Sequence, residues 1–134
     1  MKDKILPISI MGIIIILQIA CSPNNLKGTW QYDGGIYDGK SRTASPDFKM
    51  QRTYNSNGYE AFMIEGEEQP DKYAAGKYEI KNDSLYLTSE YSSQPSQVIG
   101  KTIIYKFKID NSKLTINGVL PNGMVVEEYW KRIK

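Results

Sequence analysis

Two hydrophobic patterns divide the chain near residue 26. Residues 5–20 form one nearly unbroken apolar run, preceded by Lys2 and Lys4 and followed at once by Cys21. From Leu26 onward, apolar and polar positions alternate at period two, and no stretch sustains a helical period. Alternation sends successive side chains to opposite faces of an extended strand, so each such run predicts a strand with one face available to a core. Eight runs fit: residues 27–32, 48–54, 59–64, 73–80, 84–91, 102–109, 113–120 and 124–133, each bounded by Gly, Asn, Asp or Pro clusters.

One pattern recurs within the chain. Tyr78, Ile80, Asn82, Leu85 and Leu87 are echoed 29 residues later by Phe107, Ile109, Asn111, Leu114 and Ile116. Each copy reads as a hairpin, with apolar residues at alternate sites on both arms and an Asn-containing turn between them. If consecutive strands pair up and down, every second connection lies at the same end of the sheet. The turns at 55–58, 81–83 and 110–112 are short, whereas the other end collects the long segments 33–47, 65–72 and 92–101 and the tight Pro121-Asn122-Gly123 turn. Long loops on small domains more often carry binding than packing, so any mouth belongs at this elaborated end.

Eight strands with no helix to cover an edge are best protected by closure. The expected fold is therefore all-β, an eight-stranded antiparallel up-and-down barrel over residues 26–134. An interior of that size is either filled by its own side chains or holds one small ligand.

The start of the chain follows a different logic. Two lysines, a greasy core and small Ala20 before Cys21 are the order of a secretory signal. An apolar helix of about 16 residues spans roughly 24 Å, short of a hydrocarbon core of about 30 Å. Leu17-Gln18-Ile19-Ala20-Cys21 resembles the lipobox of a bacterial lipoprotein, with Gln18 where leucine is usual and Leu17 one place early. That resemblance implies a cleaved signal peptide over residues 1–20, lipidation of Cys21 and a short tether over 21–25. Two or more acyl chains, at about 0.8 kcal/mol per buried CH₂, anchor a protein stably where one does not. Ser22 and the lack of an acidic cluster from Ser22 to Leu26 fit an outer-membrane protein facing the periplasm, with the membrane as its partner through the N-terminal lipid.

Composition narrows the chemistry. Of 17 Lys and Arg and 15 Asp and Glu, only Lys2, Lys4 and Asp3 precede Cys21, so the remainder carries about +1 and shows no basic cluster for nucleic acid. Cys21 is the only cysteine and there is no histidine, which removes Ser-His and Cys-His nucleophile pairs and imidazole metal sites. Glu127 and Glu128 are adjacent on a strand and point to opposite faces, so they form no acid/base pair. The glycines of Asp33-Gly34-Gly35 and Asp38-Gly39-Lys40 match no phosphate-cradling pattern and read as flexible loop, and the acidic stretch 65–71 reads as solvated charge. A non-enzymatic protein without cofactor or metal is expected.

The opening Leu26-Lys27-Gly28-Thr29-Trp30 resembles the Gly-x-Trp start of lipocalins, and Glu128-Tyr129-Trp130-Lys131-Arg132 resembles the close of small bacterial lipocalin-like lipoproteins of uncharacterised function. The second lipocalin signature and a C-terminal helix are absent. The resemblance implies a lipocalin-like barrel in which Trp30 plugs the closed end and Arg132 packs over the indole. Ligand-contact candidates toward the elaborated end are Phe48, Met50, Phe62, Ile64, Tyr91, Tyr105 and Met124, since apolar walls with a few hydroxyls suit a small apolar or amphipathic ligand. Arg52 shares a face with Phe48, Met50 and Tyr54, an odd place for a cation, and is expected to meet a ligand carboxylate or Glu60 inside the barrel, or else to point to solvent. The alternative function is a filled barrel serving as an envelope inhibitor or accessory subunit, whose tyrosine-bearing loops contact a protein partner.

Overall fold

The computed structural model describes residues 23–134; the expected signal segment 1–20 and the expected lipidation site Cys21 lie outside the described residues. One 3₁₀ turn at Pro23–Leu26 leads into nine strands: β1 Gly28–Tyr37, β2 Lys40–Arg42, β3 Phe48–Asn55, β4 Gly58–Glu65, β5 Asp71–Lys81, β6 Ser84–Ser92, β7 Thr102–Asp110, β8 Lys113–Val119 and β9 Val125–Arg132. Every neighbouring pair is antiparallel, and β1 also pairs with β9, so eight strands close into an up-and-down barrel. Closure joins Trp30 to Arg132 and Tyr32 to Trp130 across the seam. The remaining strand, β2, lies outside the ring and pairs only with the far part of β1.

That extra hairpin departs from the sequence expectation, which had a loop over 33–47. Between Tyr32 and Gly35 the pairing of β1 with β9 shifts register, placing Asp33 and Gly34 opposite the single residue Tyr129. Such a bulge bends its strand and increases its twist. Here β1 pairs with β3 only as far as Gln31, and beyond the bulge it runs on beside β9 to pair with β2. Asp38 and Gly39 connect β1 to β2 with φ of 47° and 80°. Positive φ at both loop residues is what the twist-matched two-residue hairpin turn requires, and Asp-Gly supplies it cheaply. The stretch read as flexible is therefore a tight turn, further held by the Val125 amide donating to Asp38 Oδ1 at 2.8 Å.

The other short turns follow the expected chemistry. Asn82 and Asn111, the matching asparagines of the two echoed hairpins, both adopt left-handed φ, 56° and 55°. Asn tolerates that region better than most residues. At the β3–β4 turn, Asn55 Oδ1 accepts from the Asn57 and Gly58 amides at 2.8 and 3.1 Å. These turns sit with the entry of β1 and the exit of β9 at one end, which is closed. The opposite end carries the connections 66–70, 93–101 and 120–124.

Inward positions fill the core in layers. Trp30, Tyr54, Leu85 and Leu114 are buried near the closed end, with Tyr32, Leu87, Tyr105, Ile116, Val126 and Trp130 above or beside them. Close packing sets local sequence: a Cβ on Gly118 would stand 2.6 Å from the ring of Tyr105, its cross-strand partner. Glycine there lets the phenol lie against the strand.

Candidate functional site

The closed end is a plug. Leu26 and Trp30 are both fully buried, and the Trp30 indole donates to the Leu26 carbonyl at 2.8 Å. The Arg132 guanidinium lies over the Trp30 ring, 4.2 Å from its centroid, while its nitrogens donate to the carbonyls of Lys27, at 2.8 Å, and of Asn25. Residues 23–26, read as part of a loose tether and the first strand's approach, are thus folded onto the barrel floor. Tyr78 completes this layer, its hydroxyl donating to the Asn55 carbonyl at 2.8 Å and its ring edge-on to Tyr54 at 5.2 Å.

Toward the other end Ala61, Leu87, Ile103, Tyr105 and Val126 stay buried, but a second set of inward side chains is only partly covered. Phe48, Met50, Arg52, Met63, Tyr73 and Glu128 are all half-buried, although pairing and alternation turn the strand positions Phe48, Met50, Arg52 and Met63 to the same side as fully buried Ala61. Interior residues with that much accessible surface line open space. Ala44, Val98, Leu120 and Met124 lean from the connecting segments onto the core and narrow the mouth without matching the closure of the plug. A cleft of about 570 Å³ opens at the rim, lined by Met63, Tyr73, Tyr91, Asp71, Ser92 and Gln94 among others.

At the boundary between packed floor and open cup sits a buried polar layer. Arg52 Nη1 donates to the Tyr54 hydroxyl at 3.3 Å, and its guanidinium lies 4.8 Å from the Trp130 ring centroid and 5.8 Å from that of Tyr59. Its Nε is shut off from solvent and has no partner. An unpaired buried donor costs about 1–3 kcal/mol, more when charged. Burial opposes the charge on Arg52, but Tyr54, Tyr73 and Glu128 together hold its pKa well above the ordinary value. Among these, only Glu128 carries a carboxyl group. Its carboxylate accepts from the Trp130 indole at 3.0 Å, and no ion pair within 4.0 Å forms between it and Arg52.

The tyrosines around this layer are proton donors that stay protonated. Burial pushes Tyr105 up to about 12, against the pull of Arg52. Burial and a 2.8 Å bond to the Tyr32 hydroxyl hold the Tyr37 phenol far above its usual range. Tyr105 has no hydrogen-bond partner among the described residues, so its hydroxyl is free to engage an occupant of the cup. The arrangement offers hydrogen-bond donors and one cation beneath apolar walls.

The sequence-based candidates separate into two groups. Phe48, Met50, Arg52, Tyr105 and Met124 come together in or over the interior. Phe62 and Ile64 do not: Phe62 pairs with Gln51 and Lys72, and Ile64 with Lys49, on the face opposite Ala61 and Met63, which is the outer wall. Tyr91 is also outside, 45% exposed with Lys72 Nζ 5.6 Å from its ring centroid, although it borders the rim cleft. Glu60 is on the same outer wall and pairs with Lys72 at 3.7 Å, so it is not the partner expected for Arg52. Register in β4 decides all of these, since one step exchanges the faces.

Glu128, Tyr73, Met63 and Trp130 were missed as site residues. Glu128 alternates with buried Val126 and Trp130, the same sign of an inward charge that marks Arg52. Tyr73 gave no such signal, because it is the extra residue of a bulge where β5 slips against β4. No known family's profile matches the chain, and no curated protein is significantly similar to it. Fold and site together define a closed eight-stranded β-barrel with a packed floor and a polar-based cup.

Proposed function

We propose that this protein is a lipid-anchored envelope lipoprotein with a lipocalin-like barrel that holds a small apolar or amphipathic molecule in the open half of its interior. The observation carrying this reading is the run of partly buried inward residues Met50, Arg52, Met63 and Tyr73 on β3 to β5, of which Met63 and Tyr73 also line the rim cleft. The rim cleft exceeds the roughly 300 Å³ at which ligand pockets begin.

Anchoring and family stand on the lipobox-like run ending at Cys21, on Gly28 and Trp30, and on Tyr129 to Arg132. Only Ser22 separates Cys21 from Pro23, so two steps along the chain span at most roughly 7 Å. An acylated Cys21 would therefore hold the plugged floor against the outer membrane and turn the cup toward the periplasm.

A second reading is favoured by Ala44, Val98, Leu120 and Met124, which lean over the mouth. In that reading the barrel is a filled module whose loops dock a protein partner. Native mass spectrometry of the protein extracted from its host separates the two: a small-molecule adduct supports carriage, whereas a clean apo mass with a co-purifying protein supports docking. Loss of membrane fractionation in Cys21→Ser tests the anchor, and retention overturns it.

A further inference from the structure

The unpartnered guanidinium edge inside the barrel points to the chemistry of the occupant. We propose that Arg52 receives the carboxylate of a monoanionic amphiphile whose apolar portion runs past Met50 and Met63 toward Phe48 and the rim. This deepens the ligand-carrier reading and rests on it.

Three features of Arg52 are fixed by the fold. One nitrogen, Nη1, is committed to the Tyr54 hydroxyl; one face lies against Trp130; and Nε has nothing to donate to. The Nε–Nη2 edge is the fork that matches a carboxylate with two parallel hydrogen bonds. Arg52 points inward and is only partly covered as a residue, while its Nε is closed off, so binding as proposed has the side chain turn to bring the orphaned Nε to an arriving acceptor. Glu128, the anion whose charge reaches Arg52, is already engaged by the Trp130 indole and does not come within ion-pairing distance. Tyr73 and Tyr105 are close enough to Arg52 to couple to its charge, and both carry phenol groups.

Glu128 also sets the charge of the ligand. A dianion such as a phosphate monoester would bring two negative charges beside that carboxylate in a low-dielectric interior, whereas a carboxylate brings one. The walls set the tail. From Arg52 to Phe48 is four residues of β3, roughly 13 Å along the strand and, at the tilt of a closed barrel, roughly 10 Å along its axis. A tail of that reach is covered, and a longer one emerges at the rim.

The test compares octanoate with octan-1-ol, which share a tail and differ in charge, by calorimetry and by Trp130 fluorescence on the full chain in detergent. Octanoate should bind at least tenfold more tightly than octanol. Arg52→Met should abolish that preference, and Arg52→Lys should lose most of it, since an ammonium lacks the planar fork. Should the Arg52 variants fail to fold, Glu128→Gln remains informative, because its amide oxygen still accepts from the Trp130 indole: octanoate should bind about threefold more tightly and octanol unchanged. Equal affinities for acid and alcohol would overturn the carboxylate site while leaving ligand carriage intact. A preference for octanoate that survives Arg52→Met, or a Glu128→Gln protein with unaltered octanoate affinity, would place the head group elsewhere and overturn it too. Binding of neither probe would overturn this proposal together with the carrier reading.

Discussion

The floor of the barrel and its cup use the same alternating strands and differ in how their inward polar groups are satisfied. At the floor, Trp30 donates to Leu26, Arg132 to Lys27 and Asn25, and Tyr78 to Asn55, so each polar group in the plug finds backbone at a turn or terminus. In the cup, Arg52 has a sealed nitrogen with no acceptor, and Tyr105 has no partner among the described residues. Backbone carbonyls become available where strands end, but in mid-barrel they are consumed by the ladder. A polar group placed there depends on other side chains, on water or on a ligand. In the proposed reading, stability and binding fall to opposite ends of one sheet.

The largest effect that would break this division is loss of the plug. Trp30→Ala removes a fully buried indole, its hydrogen bond and its stack on Arg132, and should cost about 3–5 kcal/mol in chemical denaturation. A loss under about 1 kcal/mol would show that the floor does not hold the barrel together.

A paired substitution sharpens the contrast. Leu85→Ala, at a position with no exposure, should cost about 2–4 kcal/mol, whereas Met63→Ala in the half-exposed cup should cost about 1 kcal/mol. Equal losses would mean that the two halves are packed alike.

Alkaline titration probes the layer between them. Tyr105 keeps its proton to about 12, against 10.0 for the ordinary phenol, so between those values the folded state binds more protons than the unfolded one and stability falls as pH rises. Two units correspond to roughly 2 to 3 kcal/mol, fully retained below pH 10 and gone above pH 12. Tyr105→Phe should flatten that part of the decline measured by denaturation at successive pH values. An unchanged slope would assign it to other tyrosines, such as Tyr54, also raised by burial.

The smallest effect belongs to the outer hairpin. Gly39 has φ of 80° and open space around its Cα, so Gly39→Ala meets backbone strain alone and should cost about 1 kcal/mol. It should leave ligand affinity untouched, and a larger loss would mean that the β1–β2 hairpin supports the seam.

The barrel was legible because each strand buries one face, and period-two alternation records that directly. All eight runs became strands, seven of them within two residues of their expected bounds, while the first runs on from 32 to Tyr37. The segment 33–47 was not legible as structure: β1 continues through a bulge at Asp33 and Gly34, which interrupts the alternation that identifies a strand. The Asp38-Gly39 pair was visible as a hairpin turn signal but was read only against phosphate and cation loops. For the site, facing could be read wherever a run was regular, as for Arg52 and Met50. It failed for Phe62 and Ile64, where both faces of β4 carry large apolar residues and the pattern does not choose between them. Tyr73 was out of reach because bulges follow from strand pairing, which alternation does not encode.

The seam between Gly28–Tyr37 and Val125–Arg132 has a consequence for synthesis and turnover. It joins positions roughly a hundred residues apart, a loop closure that only a nearly finished chain can make. A nascent or truncated polypeptide lacking the last strand exposes two unpaired sheet borders, of the kind that template aggregation. Prematurely terminated copies should therefore be insoluble or quickly degraded rather than partly folded.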